Sequence, residues 1–357
     1  MNKQKYILNF SEQKFFIGID VHKTSWKVTI INNQLELQTF SMEPSPEKLA
    51  AHLRKNYPGG EYFTVYEAGF SGYWIDRKLK TFGIKNIIVN PGDIPTKNKE
   101  KTIKTDAIDS RKLARELSNG TISGIYIPEE IHEQLRSLCR LRYQMTKAQS
   151  RLKNQIKGMM YFYGIQIPEK YKANNWSGEF IRYLEGLKFS YNIGNDFLIV
   201  YLEQFKTNQK RIAEILKLLK KHTQDYGVEQ IIKNLCSIPG ISFITAITFF
   251  TEIININRFK RLDDLISYVG LVPAVRSSGE RERTLGISNR HNRFLRNLLI
   301  EAAWVAVRKD PALTMCYGEL IKRMKKQKAI IKIAKKLLNR IRYVWKNNQS
   351  YEIAVVA

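Results

Sequence analysis

Three β-rich runs near the start of the chain constrain its fold more than any other feature. The stretches KFFIGIDV, WKVTIIN and LELQTFSM follow one another between residues 14 and 42, separated only by short polar breaks. Runs of this length, rich in β-branched and aromatic residues and divided by turn-forming residues, predict strands of an antiparallel meander. We therefore expect the chain to begin with three antiparallel strands joined by tight turns.

Helices and strands alternate after this meander. The sequence predicts a helix from Pro46 to Arg54, a strand at EYFTVYE, a helix from about Tyr73 to Phe82 and a short strand at KNIIVN. The polar, lysine-rich stretch IPTKNKEKTIKTD is predicted to be a loop leading into another helix. A meander followed by alternating helices and strands predicts an α/β domain with a ribonuclease-H-like sheet over residues 1–126.

The hydrophobic period changes to a helical one over residues 127–226. Apolar residues there follow heptad-like spacing in two stretches: Leu135, Leu138, Met145, Leu152, Ile156 and Met159, then Leu198, Leu202, Phe205, Ile212, Leu216 and Leu219. This spacing predicts two long helices that form an antiparallel hairpin or a paired coiled coil. Gln149 and Gln209 stand at seam positions where apolar residues are expected. Polar seam residues often fix register or oligomeric state, so an oligomerisation arm and an intramolecular hairpin both remain open.

The last segment, residues 227–357, is predicted to be mostly helical and strongly basic. Around Gly240, LCSIPGISFITA resembles a helix-hairpin-helix element, whose backbone amides contact phosphates; a plain helix turn is the alternative. No acidic residue occurs between Leu320 and Ser350. The apolar stripe of this stretch is predicted to pack on the protein body while its basic face meets phosphates; a membrane-surface helix is the alternative.

The overall charge indicates a polyanionic partner. The chain has 59 Lys and Arg against 33 Asp and Glu, a formal charge of +26. Nucleic acid is the leading candidate because neutralising phosphates gives affinity without sequence preference, whereas a lysine-rich background composition is the alternative. Three widely spaced cysteines predict neither disulfides nor a zinc site. We expect no secretion signal and no membrane span, and hence a cytoplasmic protein.

Four carboxylates stand where a metal site could form. Asp20 lies at the end of the first predicted strand and Glu67 ends EYFTVYE, while Asp106 and Asp109 lie three residues apart at the start of a predicted helix. Carboxylates at that spacing share a helix face and repel each other unless a cation lies near them. Phosphodiester chemistry with two Mg²⁺ ions needs such oxygen ligands. Alternatively, Thr105 or Asp106 caps the helix, and Asp109 lies favourably in the first turn, near the positive end of the helix dipole.

The motifs IGIDVHK, YEAGFSGYW and KTDAIDSRKLA resemble those of the DEDD transposases of bacterial insertion sequences, which carry a RuvC-like nuclease domain. The segments SIPGISFITA and RFKRLDDLISYVGLVPAVRSSGERERTLGISNRHNRFLR resemble that family's second domain, so the resemblance covers nearly the whole chain. It implies a nucleoid-associated DNA recombinase with Mg²⁺, or Mn²⁺ as a substitute, at Asp20, Glu67, Asp106 and Asp109. It also implies a structured non-coding bridge RNA that pairs with donor and target DNA.

The resemblance also implies a serine nucleophile, at Ser278 rather than Ser277. Nearby arginines are expected to bind phosphates: Arg276, Arg281, Arg283, Arg290, Arg293 and Arg296. His291 stands where the family usually has glycine. A phosphate-binding turn without a covalent role is the alternative for Ser278.

The sequence supports three interpretations of the function of the whole chain. The first is a transposase acting as a homo-oligomer, either a dimer or a tetramer. The second is a RuvC-like junction endonuclease that uses water as the nucleophile. The third is a nucleic-acid-binding scaffold without catalysis.

Overall fold

The computed structural model describes residues 9–95, 105–172, 176–278, 281–288 and 291–353. For residues 274–278 and 281–285 it describes the backbone alone. The chain divides into two compact units, Met1–Ile127 and Pro128–Ala357.

The first unit is built on a five-stranded mixed sheet. Its strands are β1 (Lys14–Val21), β2 (Trp26–Asn32), β3 (Leu35–Met42), β4 (Glu61–Glu67) and β5 (Lys85–Val89). They lie in the order β3-β2-β1-β4-β5. The first three strands are antiparallel neighbours, whereas β4 runs parallel to β1 and β5 runs parallel to β4. The predicted meander is therefore confirmed, and the sheet is compatible with a RuvC or ribonuclease-H-like fold.

Helices cover both faces of this sheet. The helices α1 (Pro46–Asn56) and α2 (Trp74–Thr81) pack through a hydrophobic cluster onto the face that carries the side chains of Phe15, Ile17 and Ile19. The helix α3 (Asp106–Ser118) packs on the opposite face of the sheet. There it contacts the residues of β1 that alternate with those three. Because β1 is covered on both sides, its apolar run is almost fully buried, as a central strand requires.

A long antiparallel helical hairpin begins the second unit. Its arms are α4 (Glu130–Phe162) and α7 (Asn192–Asp225), with the short helices α5 (Glu169–Lys172) and α6 (Gly178–Glu185) between them. Near the connecting end the two arms bury a separate cluster that includes Ile156 and Leu202. Near the other end, Cys139 and Leu219 join the main hydrophobic core of the unit.

One of the two predicted polar seam positions is wrong. Gln149 is buried, donates to the carbonyl oxygen of Phe205 and accepts a hydrogen bond from Asn208 Nδ2 at 2.7 Å. Gln209 is exposed. Asn208 rather than Gln209 contacts α4, and Ile215 rather than Leu216 is buried, so at these two places the buried face of α7 lies one residue earlier than predicted.

The rest of the second unit is helical apart from one β-hairpin. Its helices are α8 (Glu229–Cys236), α9 (Phe243–Ile253), α10 (Leu262–Val269), α11 (Arg293–Lys309), α12 (Pro311–Arg323) and α13 (Lys326–Asn347). Strands β6 (Pro273–Ser278) and β7 (Arg281–Ile287) form a two-stranded antiparallel sheet, which the sequence did not predict.

The basic C-terminal helix α13 buries its apolar stripe, as predicted. Ile333, Leu337 and Ile341 are almost completely inaccessible to solvent. Among the described helices, none combines the length and the apolar character needed to cross a bilayer.

Candidate functional site

A glycine in β1 brings a helix backbone into contact with the sheet. An ideal Cβ placed on Gly18 would lie 2.0 Å from the carbonyl oxygen of Ser110 and 2.5 Å from the backbone nitrogen of Ala114. No side chain fits there, so α3 lies directly on the strand. Side chains alternate along a strand, and Asp20 therefore faces the same side as Gly18, toward the first turn of α3.

A buried hydroxyl chain fixes α3 on the sheet. Ser110 Oγ lies 2.9 Å from Thr29 Oγ1, which in turn lies 2.8 Å from Thr39 Oγ1. Thr29 and Ser110 are completely buried, and each finds its partner in the other. Buried hydroxyl groups are costly unless they are hydrogen-bonded, so these bonds favour a single position of the helix.

The cap of α3 separates two roles that the sequence left open for Asp106. Thr105 is the N-cap residue, and its hydroxyl accepts from the backbone nitrogen of Ile108 at 3.4 Å. Asp106 is the first helical residue, and Asp109 follows in the same turn. Because Thr105 supplies the capping oxygen, the Asp106 carboxylate is available for another partner.

Three metal-ligating side chains converge at the end of β1. His22 Nε2 lies 3.1 Å from Asp20 Oδ2 and 3.6 Å from Asp106 Oδ1. One ligand atom from each of these three residues lies within 4.8 Å of the other two. Sequence reasoning found the two aspartates but missed His22. The signal was present, since His22 is two residues beyond Asp20 in IGIDVHK.

The surroundings of Asp20 disfavour the charged form of its carboxyl group. Burial raises the pKa of the Asp20 carboxyl, and the nearby Asp106 and Asp109 carboxylates raise it further, while His22 lowers it. A carboxylate in this position is more easily ionised when a cation neutralises its surroundings. Asp109 thus acts electrostatically on Asp20, although it is not one of the three residues of the compact cluster.

Glu67 lies at the same edge of the sheet, at the end of β4. The parallel register pairs Ile19 with Tyr66, so Asp20 and Glu67 are the next residues on two adjacent strands. The Glu67 side chain is exposed. The structure therefore brings the four predicted carboxylates to one edge, from the ends of β1 and β4 and the start of α3. Joint metal binding by all four stays a prediction.

The donor types at this edge suit a divalent cation. Carboxylate oxygens are the preferred ligands of Mg²⁺ and Mn²⁺, and imidazole nitrogen also binds divalent transition metals. Asp20 is half-buried and Asp106 is largely exposed, so a bound ion would be open to solvent and substrate on one side.

The predicted nucleophile lies in the second unit, on the β-hairpin. Ser278 ends β6 and pairs with Arg281, while Ser277 pairs with Glu282 and Arg276 pairs with Arg283. The backbone register thus places three of the predicted phosphate-binding arginines beside the two serines along the hairpin.

The other predicted phosphate-binding residues have different environments. Arg290 lies outside the described residues. Arg293 begins α11, with its guanidinium 5.0 Å from the ring centre of Phe294. Arg296 donates a hydrogen bond to the carbonyl oxygen of Ser288, and burial lowers its pKa.

Two glycines of the second unit have clear packing roles. A Cβ on Gly270, which has φ +84°, would lie 2.1 Å from His291 Cβ, so His291 packs directly over this glycine. A Cβ on Gly240, which has φ +91°, would lie 2.5 Å from the carbonyl oxygen of Ala302 in α11. Packing in a plain helix turn is therefore sufficient to require glycine at position 240, and phosphate binding there stays a prediction.

The fold and the carboxylate edge together define an α/β nuclease-like domain joined to a mostly helical basic unit. Residues 17–165 match a family model described as a transposase of the DEDD type found in IS110 elements. Residues 232–317 match the model of the transposase IS116/IS110/IS902 family. Together these matches cover more than half of the chain.

Named relatives agree with these matches. A Sinorhizobium fredii protein named as a transposase, y4qE, is 26% identical over 81% of this chain and 71% of its own length. The transposase for insertion sequence element IS1111A of Coxiella burnetii is 26% identical over 76% of this chain and 74% of its own length. The transposase for insertion sequence element IS1533 of Leptospira borgpetersenii is 24% identical over 71% of this chain and 72% of its own length. The chain belongs to the IS110-type DEDD transposases of insertion sequences.

Proposed function

We propose that this transposase cleaves and rejoins DNA through a covalent phosphoserine intermediate formed on Ser278. The observation that carries the proposal is the convergence of Asp20, His22 and Asp106 at the carboxylate edge of the sheet. Glu67 and Asp109 lie at the same edge and complete a set of hard donors for Mg²⁺ or Mn²⁺. When bound, such an ion supplies Lewis-acid stabilisation of the charge that develops during phosphoryl transfer.

In the chemistry assigned to Ser278, the phosphate remains a diester throughout, because each ester bond that breaks is replaced by another. The serine oxygen forms a bond to phosphorus as one bridging P–O bond of the DNA breaks. The serine proton passes to a nearby base, and the departing DNA oxygen is protonated to a hydroxyl. A hydroxyl of another strand then attacks the phosphoserine, which rejoins the DNA and releases the serine oxygen to take up a proton. The arginines of the hairpin are proposed to hold the phosphate during both steps.

Basic surfaces of the second unit support binding of donor and target DNA. The exposed face of α13 carries several lysines: Lys326, Lys328, Lys332, Lys336 and Lys346. Two basic residues of the same helix are instead used inside the protein, since Arg340 pairs with the buried Asp310 and Arg342 donates to the carbonyl oxygen of Lys260. The lysine face is thus the part of α13 that is available to phosphates.

We infer that DNA sites are chosen largely by a structured non-coding guide RNA encoded beside the transposase gene. The inference is carried over from the family resemblance, and the protein would then read backbone and shape. We also infer a dimer or a tetramer, because strand exchange requires several active sites on paired duplexes. Mass measurement of the complex with DNA and RNA should give two or four protomers, and a single protomer would refute the oligomer.

The serine proposal is tested on a plasmid that carries the ends of the element, incubated with Mg²⁺ and the flanking transcript. On denaturing gels the wild type should give a covalent protein–DNA adduct, and Ser278→Ala should give neither adduct nor recombinant product. Ser277→Ala is the matched control and should keep both. Full recombination by Ser278→Ala would refute the covalent role.

A second candidate is a metal-dependent endonuclease in which water attacks the DNA. It is favoured by one observation, namely that all of the predicted carboxylate ligands lie within the first unit. This mechanism gives free 5′-phosphate and 3′-hydroxyl ends without an adduct, and Ser278→Ala would retain cleavage.

A further inference from the structure

We propose that His22 is a metal ligand of the carboxylate edge, so that the site has mixed nitrogen and oxygen donors and favours Mn²⁺ over Mg²⁺. The proposal rests on the metal site of the proposed function and specifies its ion preference. It adds a ligand outside the four carboxylates predicted from the sequence.

The backbone holds His22 firmly at the edge. His22 follows β1, and its backbone nitrogen donates to the carbonyl oxygen of Ser25 at 3.2 Å, which closes the turn between β1 and β2. Alternation along the chain places His22 on the side of Asp20 and Gly18. Its imidazole is 48% exposed, so packing in the core does not account for its position.

The distances around His22 are compatible with ligands that share one ion. Donor atoms about 2.1 Å from an octahedral ion lie about 3 Å apart when adjacent and about 4 Å apart when opposite. The separations of His22 Nε2 from Asp20 Oδ2 and Asp106 Oδ1 are 3.1 and 3.6 Å. The aspartates come from a strand and from a helix, and the imidazole nitrogen lies near both. A hydrogen bond to Asp20 alone would not require the approach to Asp106.

Donor chemistry determines which ions gain from His22. Mg²⁺ is a hard cation that binds oxygen and keeps much of its water, whereas imidazole nitrogen is a good ligand for divalent transition metals. Replacing a water molecule by imidazole therefore stabilises bound Mn²⁺ more than bound Mg²⁺. Loss of His22 should accordingly weaken Mn²⁺ binding selectively, because the oxygen ligands remain.

The direct test is pulsed electron paramagnetic resonance of Mn²⁺ bound to the full-length protein without DNA. The wild type should show hyperfine coupling to an imidazole ¹⁴N nucleus, and His22→Asn should lose it. His52→Asn is the matched control, since His52 lies in the same unit but contacts Gln38 and Phe40 away from the edge. This variant should keep the coupling.

Affinity measurements separate the His22 proposal from the metal site itself. Titration with Mn²⁺ should show that His22→Asn binds it at least about tenfold more weakly than the wild type. Competition should show that Mg²⁺ affinity falls by no more than about threefold. Asp20→Asn should abolish binding of both ions.

Three results would overturn the His22 proposal. Asp20-dependent Mn²⁺ binding without ¹⁴N coupling in the wild type, or coupling that persists in His22→Asn, would exclude His22 as a ligand and leave the proposed function intact. Absence of any Asp20-dependent ion binding would refute both the His22 proposal and the metal site of the proposed function. Circular dichroism of each variant confirms that folding is retained.

Discussion

The two regions assigned to catalysis are positioned in different ways. The carboxylate edge is set by the core of the first unit, where Gly18 lets α3 lie on β1 and the Thr29–Ser110 hydrogen bond fixes it. The serine hairpin forms a two-stranded sheet of its own and is tied at its base, where Ser288 donates to the carbonyl oxygen of Val272. Core packing thus determines the position of the carboxylates, whereas the contact at the hairpin base ties the serine hairpin to the rest of its unit.

Removing a charge at the carboxylate edge should have the largest effect on activity. Asp20→Asn keeps the size of the side chain but removes the central ionised ligand. We expect DNA cleavage to fall by about a thousandfold, equivalent to about 4 kcal/mol of transition-state stabilisation. Single-turnover cleavage with saturating metal measures this. Cleavage within about threefold of the wild type would show that the edge does not perform the chemistry.

The start of α11, which follows the serine hairpin in the chain, is tested through a buried glutamate. Glu252, which is 1% exposed, accepts two hydrogen bonds from Arg140 and one from Asn292, the N-cap residue of α11. Glu252→Ala removes this partner of Arg140, and it also removes the acceptor of the hydrogen bond from the Asn292 side chain. The free energy of unfolding of the second unit should fall by about 3 kcal/mol.

Chemical denaturation measures the effect of Glu252→Ala. The control is Glu229→Ala at the surface of the same unit, where Glu229 forms an exposed ion pair with Lys233, and the loss should be below about 1 kcal/mol. Equal losses in the two variants would show that Glu252 does not anchor the start of α11.

Packing of α3 on β1 is tested by adding one methyl group. Gly18→Ala forces the strand and the helix apart, which should lower the free energy of unfolding of the first unit by about 2–3 kcal/mol and weaken metal binding. Gly158→Ala is the control, because no heavy atom lies within 4 Å of the position that its new Cβ would take. Gly158 lies within the helix α4, where alanine is a better helix former than glycine. That change should be neutral or stabilising. A fully stable Gly18→Ala protein with normal metal affinity would refute the packing argument.

The smallest predicted effect concerns the stability of the metal-free protein. Because burial and neighbouring carboxylates raise the pKa of Asp20, its protonated form is favoured by folding. The stability contributed by that proton is present below the unfolded pKa and is lost as pH rises through the folded pKa. At neutral pH, Asp20→Asn should therefore slightly raise the Tm of the metal-free protein. A lower Tm would mean that ionised Asp20 stabilises the fold.

Sequence reasoning predicted the sheet better than the details of the site. The strand runs and the acidic pair at the start of α3 are local signals, and the structure bears out the strands and the helix. His22 was missed because its significance depends on the close approach of α3, which follows from contacts between distant segments. Gln209 was wrongly placed in the helical seam because heptad spacing alone does not decide which of two neighbouring residues faces the other arm, and Asn208 does so by hydrogen bonding to Gln149.

The β-hairpin was missed for a related physical reason. Its strands, Pro273–Ser278 and Arg281–Ile287, are short and mix apolar with small, polar and charged residues, so they lack the apolar alternation that marks a strand. The two strands of the hairpin form hydrogen bonds with each other. The spacing of apolar residues in the sequence does not reveal such pairing.

Peptide mapping of the covalent adduct tests the central claim most directly. Trypsin cleaves after Arg276 and Arg281, so both serines fall in the peptide SSGER. Fragmentation of the nuclease-trimmed wild-type adduct should place the nucleotide on Ser278, and no adduct should form with Asp20→Asn. A nucleotide on another residue, or cleavage that yields only free 5′-phosphate and 3′-hydroxyl ends, would contradict the account.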